Sequence, residues 1–91
     1  MDAGLYRTRA KNNEARIVLL FKTGKKLAHF VTFDYPMRAK TLPTKALREF
    51  QPVQYHGRPY PLSRAVRLFL KYGREKGITK AARKGLRTLK G

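Results

Sequence analysis

Residues 16–33 read RIVLLFKTGKKLAHFVTF, two β-branched and aromatic runs on either side of Thr23-Gly24-Lys25-Lys26. Apolar side chains at alternating positions mark a strand lying on a core, and a glycine in a short polar break marks a tight turn. The stretch predicts an antiparallel hairpin in which Gly24 takes a positive φ. Alternation puts Ile17, Leu19 and Phe21 on one face with Leu27, His29, Val31 and Phe33, and sends Val18, Leu20, Ala28 and Phe30 to the other. Both faces are substantially apolar. One must be covered by the rest of the chain, and the other calls for more protein or a partner, so a homodimer or a larger complex is expected.

Working outward, Asp34-Tyr35-Pro36 ends the second strand, and PTKALREF at 43–50 suits about two helical turns before Pro52 stops them. VQYHGRPYP at 53–61 predicts a second, short hairpin about His56-Gly57, with Pro59 and Pro61 confining it to an edge. Residues 1–15, MDAGLYRTRAKNNEA, keep no sustained period and are expected to be a loose or partly extended lead-in.

The other end of the chain repeats itself. Leu62-Ser63-Arg64-Ala65-Val66-Arg67 matches Ile78-Thr79-Lys80-Ala81-Ala82-Arg83 in chemical type. Ser63 and Thr79 are suitable N-caps for two helices. Leu62, Ala65, Val66, Phe69 and Gly73 fall on one face of the first, and Ile78, Ala81, Ala82, Gly85, Leu86 and Leu89 on one face of the second. Gly73 and Gly77 allow a turn between them, and the small Ala65, Ala81, Ala82 and Gly85 permit the two helices to pack closely. The expected fold class is α+β: an N-terminal antiparallel β-hairpin packed with two to three helices, ending in a basic helix pair, in one small basic domain over residues 1–91.

The chain has 22 Lys and Arg against 5 Asp and Glu, a formal charge of +17. Residues 1–35 hold 7 basic and 3 acidic side chains, and residues 36–91 hold 15 and 2. Such a field attracts polyanions: nucleic acid, an anionic membrane face or an acidic protein. Opposite the apolar faces of the two helices lie Arg64, Arg67, Lys71 and Arg74, then Lys80, Arg83, Lys84, Arg87 and Lys90, with Glu75 the single acid of residues 62–91. A merely solvated helix mixes in glutamates, whereas like charges at i+3 and i+4 destabilise a helix by about 0.2–0.5 kcal/mol per pair. Phosphates along a backbone would relieve that repulsion, and arginine meets them with two hydrogen bonds at once.

Arg64, Arg67, Lys71, Arg74, Lys80, Arg83, Lys84 and Arg87 are therefore the candidate phosphate contacts, with Arg83 and Arg87 placed to reach base edges if the second helix enters a groove. Tyr55, Tyr60 and Tyr72 are candidates for stacking on unpaired bases, a role that competes with packing at a core edge. Helix, glycine-containing turn and basic helix together resemble a helix-turn-helix, although a turn over Tyr72–Thr79 would be longer than the usual three or four residues. YHGRPYPLSRA at 55–65 resembles the hairpin-to-helix step of RAMA-type modules found attached to restriction and modification proteins; it spans about a tenth of the chain, and no function is taken from it.

Other chemistry has little to work with. The five acids are scattered singly, His29 lies on an apolar strand face and His56 at a turn, and KTGKK lacks the spaced glycines and GK[ST] of a phosphate loop. No enzyme activity, cofactor or metal is expected. With no cysteine there is neither a disulfide nor a thiolate metal site, and no long apolar run or signal-peptide pattern is present. An intracellular protein, cytoplasmic or nucleoid-associated, is expected. Membrane binding fits poorly, because the helices lack Trp and carry Ala and Gly where an interfacial helix needs bulk. The expected function is nucleic-acid binding, DNA or RNA. The rival is a small inhibitor or adaptor, of the kind found among compact basic viral proteins, whose same basic face meets an acidic protein or a ribonucleoprotein.

Overall fold

The computed structural model of the chain describes residues 1–9 and 11–89. Its architecture is α+β, as the sequence pattern requires. Strands β1 (Gly4–Arg9), β2 (Ala15–Thr23), β3 (Leu27–Thr32), β4 (Ala39–Pro43) and β5 (Gln51–Pro52) form an antiparallel sheet in the order β4-β3-β2-β1-β5. A 3-10 helix (Thr44–Glu49) precedes β5, and a small hairpin of β6 (Gln54–Tyr55) and β7 (Arg58–Pro59) leads into helices α1 (Leu62–Lys76) and α2 (Lys80–Arg87).

The hairpin at 16–33 forms as read, with Leu19 opposite Val31 and Leu20 opposite Phe30. A bulge between Leu20 and Lys22 leaves Phe21 without a partner on β3. Gly24 has no positive φ; among the described residues the positive-φ glycines are Gly57 (76°) and Gly77 (100°). Gly24 is instead a point of close approach: a Cβ there would stand 3.1 Å from the Leu27 carbonyl oxygen, and the Gly24 N–H donates to that same oxygen at 2.8 Å.

Two cores lie on the two faces of the sheet. Leu5, Leu19 and Val31 meet Ala65, Val66, Phe69, Ala82 and Leu86 of the helices, with Ile17, Phe21 and Phe33 packed against them. Burying a side chain the size of Phe69 or Leu86 completely stabilises the fold by about 1.5–3 kcal/mol. On the other face Tyr6, Val18, Leu20, Ala28 and Phe30 are covered by Leu47 of the 3-10 helix and by Phe50, whose ring meets Phe30 edge-on at 6.0 Å. Val18 and Leu20 are 0% exposed and Phe30 2%. The second apolar face, the reason to expect a homodimer, is therefore closed by the chain itself.

Three other expectations are corrected. The lead-in contains β1, which sits between β2 and β5 with Tyr6 paired to Val18 and Leu5 to Leu19. Ser63 does not cap α1: the helix begins at Leu62, and Pro61 stands at the cap with no side-chain hydrogen bond. Nor does Gly73 end α1, which runs on to Lys76 and stops where Gly77 turns left-handed. Gly73 is a notch for the next element, since a Cβ there would stand 3.0 Å from Cβ of Ile78. Thr79 caps α2 as its sequence implies, its hydroxyl oxygen accepting from the Ala82 N–H at 3.2 Å.

The loop after β3, which includes the cis Tyr35–Pro36 peptide, ties the helices to the sheet. The Met37 N–H donates to the Gly77 carbonyl and the Thr79 N–H donates to the Met37 carbonyl, both at 3.0 Å. Met37 is fully buried at this point. Backbone bonds on both sides of Met37 thus hold the helix-to-helix turn in one place.

Candidate nucleic-acid interface

The segment between α1 and α2 is Gly77-Ile78-Thr79, three residues rather than the longer turn expected when Gly73 is taken as the helix end. A short turn brings the two basic stripes together. Arg67, Lys71 and Arg74 of α1 face Arg83 and Arg87 of α2 across a groove of about 590 Å³, whose apolar lining is Leu70 and Ile78. All five cations are exposed, and among the described residues no acid lines the groove. A shallower depression lined by Tyr60, Arg64, Arg67, Leu68 and Lys71 shares two of these residues, so the positive surface continues towards the start of α1.

The eight candidates thus divide. Arg67, Lys71, Arg74, Arg83 and Arg87 converge on the groove, and Arg64 lies on its extension. Lys80 and Lys84 are exposed but do not line either cavity. Lys84 follows Arg83 by one residue, which turns it about 100° around the helix axis. Lys90 lies outside the described residues.

One of the tyrosines, Tyr55, is already engaged with the basic helix. Arg64 donates from Nη1 to the Tyr55 hydroxyl at 3.0 Å, and its guanidinium carbon stands 5.2 Å from the centre of the Tyr55 ring. Tyr60 and His56 approach that ring edge-on at 5.3 and 4.3 Å. The β6–β7 hairpin forms because His56 (φ 54°) and Gly57 (φ 76°) both take the left-handed conformation that a two-residue turn demands. The hairpin is held to α1 through this aromatic and cationic cluster. Tyr72 is placed differently: its ring stacks on Phe33 at 4.1 Å with a 28° interplanar angle, so one face is spent on the core.

His29 is half-buried with its ring 6.1 Å from that of Phe21, a packing role. Among the described residues no three His, Cys, Asp or Glu side chains gather where a metal ion would need them, and no helix is long and apolar enough to cross a membrane. Sequence reasoning missed the groove's apolar lining: Ile78 counts as core by helical spacing, Leu70 lies outside the apolar face read for the first helix, and only the meeting of two helices brings them into one cavity. It also passed over the sheet cations Arg9, Arg16 and Lys40, whose common placement depends on strands β1 and β4. Comparison with protein-family models, with curated proteins and with solved structures gives no match to this chain.

Proposed function

We propose that the protein binds nucleic acid, seating a phosphate backbone in the groove between α1 and α2. The observation that carries this reading is the convergence of five cations from two helices on one groove without an acid in its lining. Arginine supplies four of the five, and its planar fork donates two parallel hydrogen bonds to a phosphate where lysine acts as a point charge. The apolar Leu70 and Ile78 lower the local polarity and strengthen each contact made above them. The three-residue turn, capped by Thr79 and tied to Met37, supports a fixed helix pair in which Arg83 and Arg87 of α2 contact the same backbone as the α1 residues and are the two placed to reach base edges if α2 enters a groove.

The test is fluorescence anisotropy with labelled duplex DNA, single-stranded DNA and a structured RNA at two salt concentrations, using wild type and the double variant Arg67→Ala/Arg83→Ala. Counterion release makes each phosphate contact worth a factor of roughly five at about 0.15 M salt, so the double variant should bind about 30-fold more weakly. A loss spread evenly over sequences marks phosphate contact, and a loss confined to one sequence marks base reading. If none of the three nucleic acids binds, and pull-down from nuclease-treated lysate returns one acidic protein through the same arginines, the function is that of an inhibitor or adaptor instead.

A further inference from the structure

A second cationic cleft lies on the far side of the sheet. Tyr6, Val18, Leu20, Ala28 and Phe30 face away from the helices, and the register assigns Arg16 and Lys40 to that same face: Arg16 pairs with Thr8, and Lys40 pairs with Phe30. The 3-10 helix and Phe50 cover the apolar part of this face. Beyond them Arg9, Lys11, Arg16 and Lys40 line an open cleft of about 610 Å³, together with Thr8 and Thr41 and, among the described residues, with no acid. A neighbouring hollow at Arg7 and Arg9 differs in this respect, because Glu49 shares its wall.

Arg16 is half-exposed, and Lys40, on the next-but-one strand, lines the same cleft. Arg9 donates to the Asn13 carbonyl at 2.9 Å. Thr8, paired with Arg16 on this face, adds a neutral hydroxyl donor suited to a phosphate oxygen. A polyanion is the partner that complements four cations and a hydroxyl.

Resting on the reading of the helix groove as a nucleic-acid site, we propose that this sheet face binds a second segment of duplex, so that one protein molecule bridges two nucleic-acid segments. The two clefts open on opposite sides of a domain measuring 31 × 28 × 26 Å, and neither shares a lining residue with the other. A duplex on one side therefore leaves the other side free.

A sandwich capture separates the two sites. A biotinylated duplex is immobilised, the protein is added, and retention of a second, fluorescent duplex is measured beside direct binding to the first. Wild type should retain the second duplex. Arg16→Gln/Lys40→Gln should bind a single duplex within about twofold of wild type yet retain the second about 30-fold less well, since two phosphate contacts are lost from that face alone. Lys40→Gln alone, on the exposed edge strand β4, should lose about fivefold in retention and guards against a folding defect at Arg16. Removing two charges from the hairpin turn with Lys25→Gln/Lys26→Gln, outside both clefts, should leave retention unchanged. Equal retention by wild type and Arg16→Gln/Lys40→Gln would overturn the bridging site, as would duplex binding by wild type with no retention at all. Failure of wild type to bind the first duplex also overturns bridging of duplex and removes duplex from the ligands of the helix groove, whereas binding without retention overturns the sheet-face site alone, so the two failures are distinguishable.

Discussion

Gly85 of α2 lies so close to the Phe21 ring that a Cβ at Gly85 would stand 2.6 Å from both Cε1 and Cζ. Phe21 is the bulged residue of β2, and its placement on the helix side of the sheet fills the space a side chain at position 85 would need. The small residue at 85 thus serves the contact between α2 and the sheet rather than the crossing of the two helices. Ala81, expected on the same buried face, is exposed.

Gly85→Ala should therefore destabilise the domain despite the better helix propensity of alanine. Overpacking costs about 1–3 kcal/mol, and the propensity gain of about 1 kcal/mol offsets only part of it. In a Phe21→Ala background, where the ring is gone, the same substitution should become stabilising by about 1 kcal/mol. Urea unfolding of the four proteins in a double-mutant cycle measures the coupling, and additive effects would show that the ring does not press on Gly85.

Ala82 and Ala81 offer a sharper contrast on adjacent positions of α2. Ala82 is 0% exposed and Ala81 is open to solvent. Ala82→Arg must bury a charge and should cost about 3 kcal/mol or more, whereas Ala81→Arg should stay within about 0.5 kcal/mol of wild type. Melting temperatures of the two variants check this. Equal melting temperatures would mean that α2 is not docked on the sheet.

Salt dependence reports how many cations the helix groove uses. Five phosphate contacts by Arg67, Lys71, Arg74, Arg83 and Arg87 predict that log K for a single duplex falls with log salt at a slope of about −4.5. Arg67→Ala/Arg83→Ala should make the slope shallower by about two units, and Lys84→Ala, outside the groove, should leave it nearly unchanged. A slope near zero in the wild type would remove the phosphate contacts from the account.

Tyr6 makes stability fall at alkaline pH. Its burial, and to a lesser degree the Asp2 carboxylate, push the phenol above its usual value, and its hydroxyl donates to the Asp2 carbonyl at 2.7 Å. Above the ordinary tyrosine value of about 10 the unfolded chain loses the proton before the folded one does, so the folded state binds more protons and stability drops as pH rises. Tyr6→Phe should be less stable than wild type at pH 8, having lost the hydrogen bond, and should lose less further stability on going to about pH 11. Thermal unfolding across that range gives the comparison; parallel curves would exclude Tyr6 as the titrating group.

Periodicity within a short window was enough to read the hairpin at 16–33, the hairpin about His56-Gly57, the two helices and the basic stripes they carry. Each of these is decided by residues near one another in the chain: alternation over β2 and β3, a left-handed pair of turn residues, and the i, i+3, i+4 recurrence of α1 and α2. The remainder belongs to contacts between distant segments. β1 and β4 are short and half-exposed, with Arg7, Arg9, Lys40 and Thr41 facing solvent, so they carry too little apolar pattern to announce themselves and exist because β2 and β3 offer them free edges. The closing of the second apolar face needs Leu47 and Phe50 to fold back over it. The end of α1 is not legible locally, because glycine signals a helix stop by its backbone freedom, while Gly73 is there for want of a side chain beneath Ile78, a reason visible only when both residues are in place. Which cations share a groove is settled in the same way: charge is written along the chain, but its convergence depends on the three-residue turn that Met37 of a distant loop holds against the sheet.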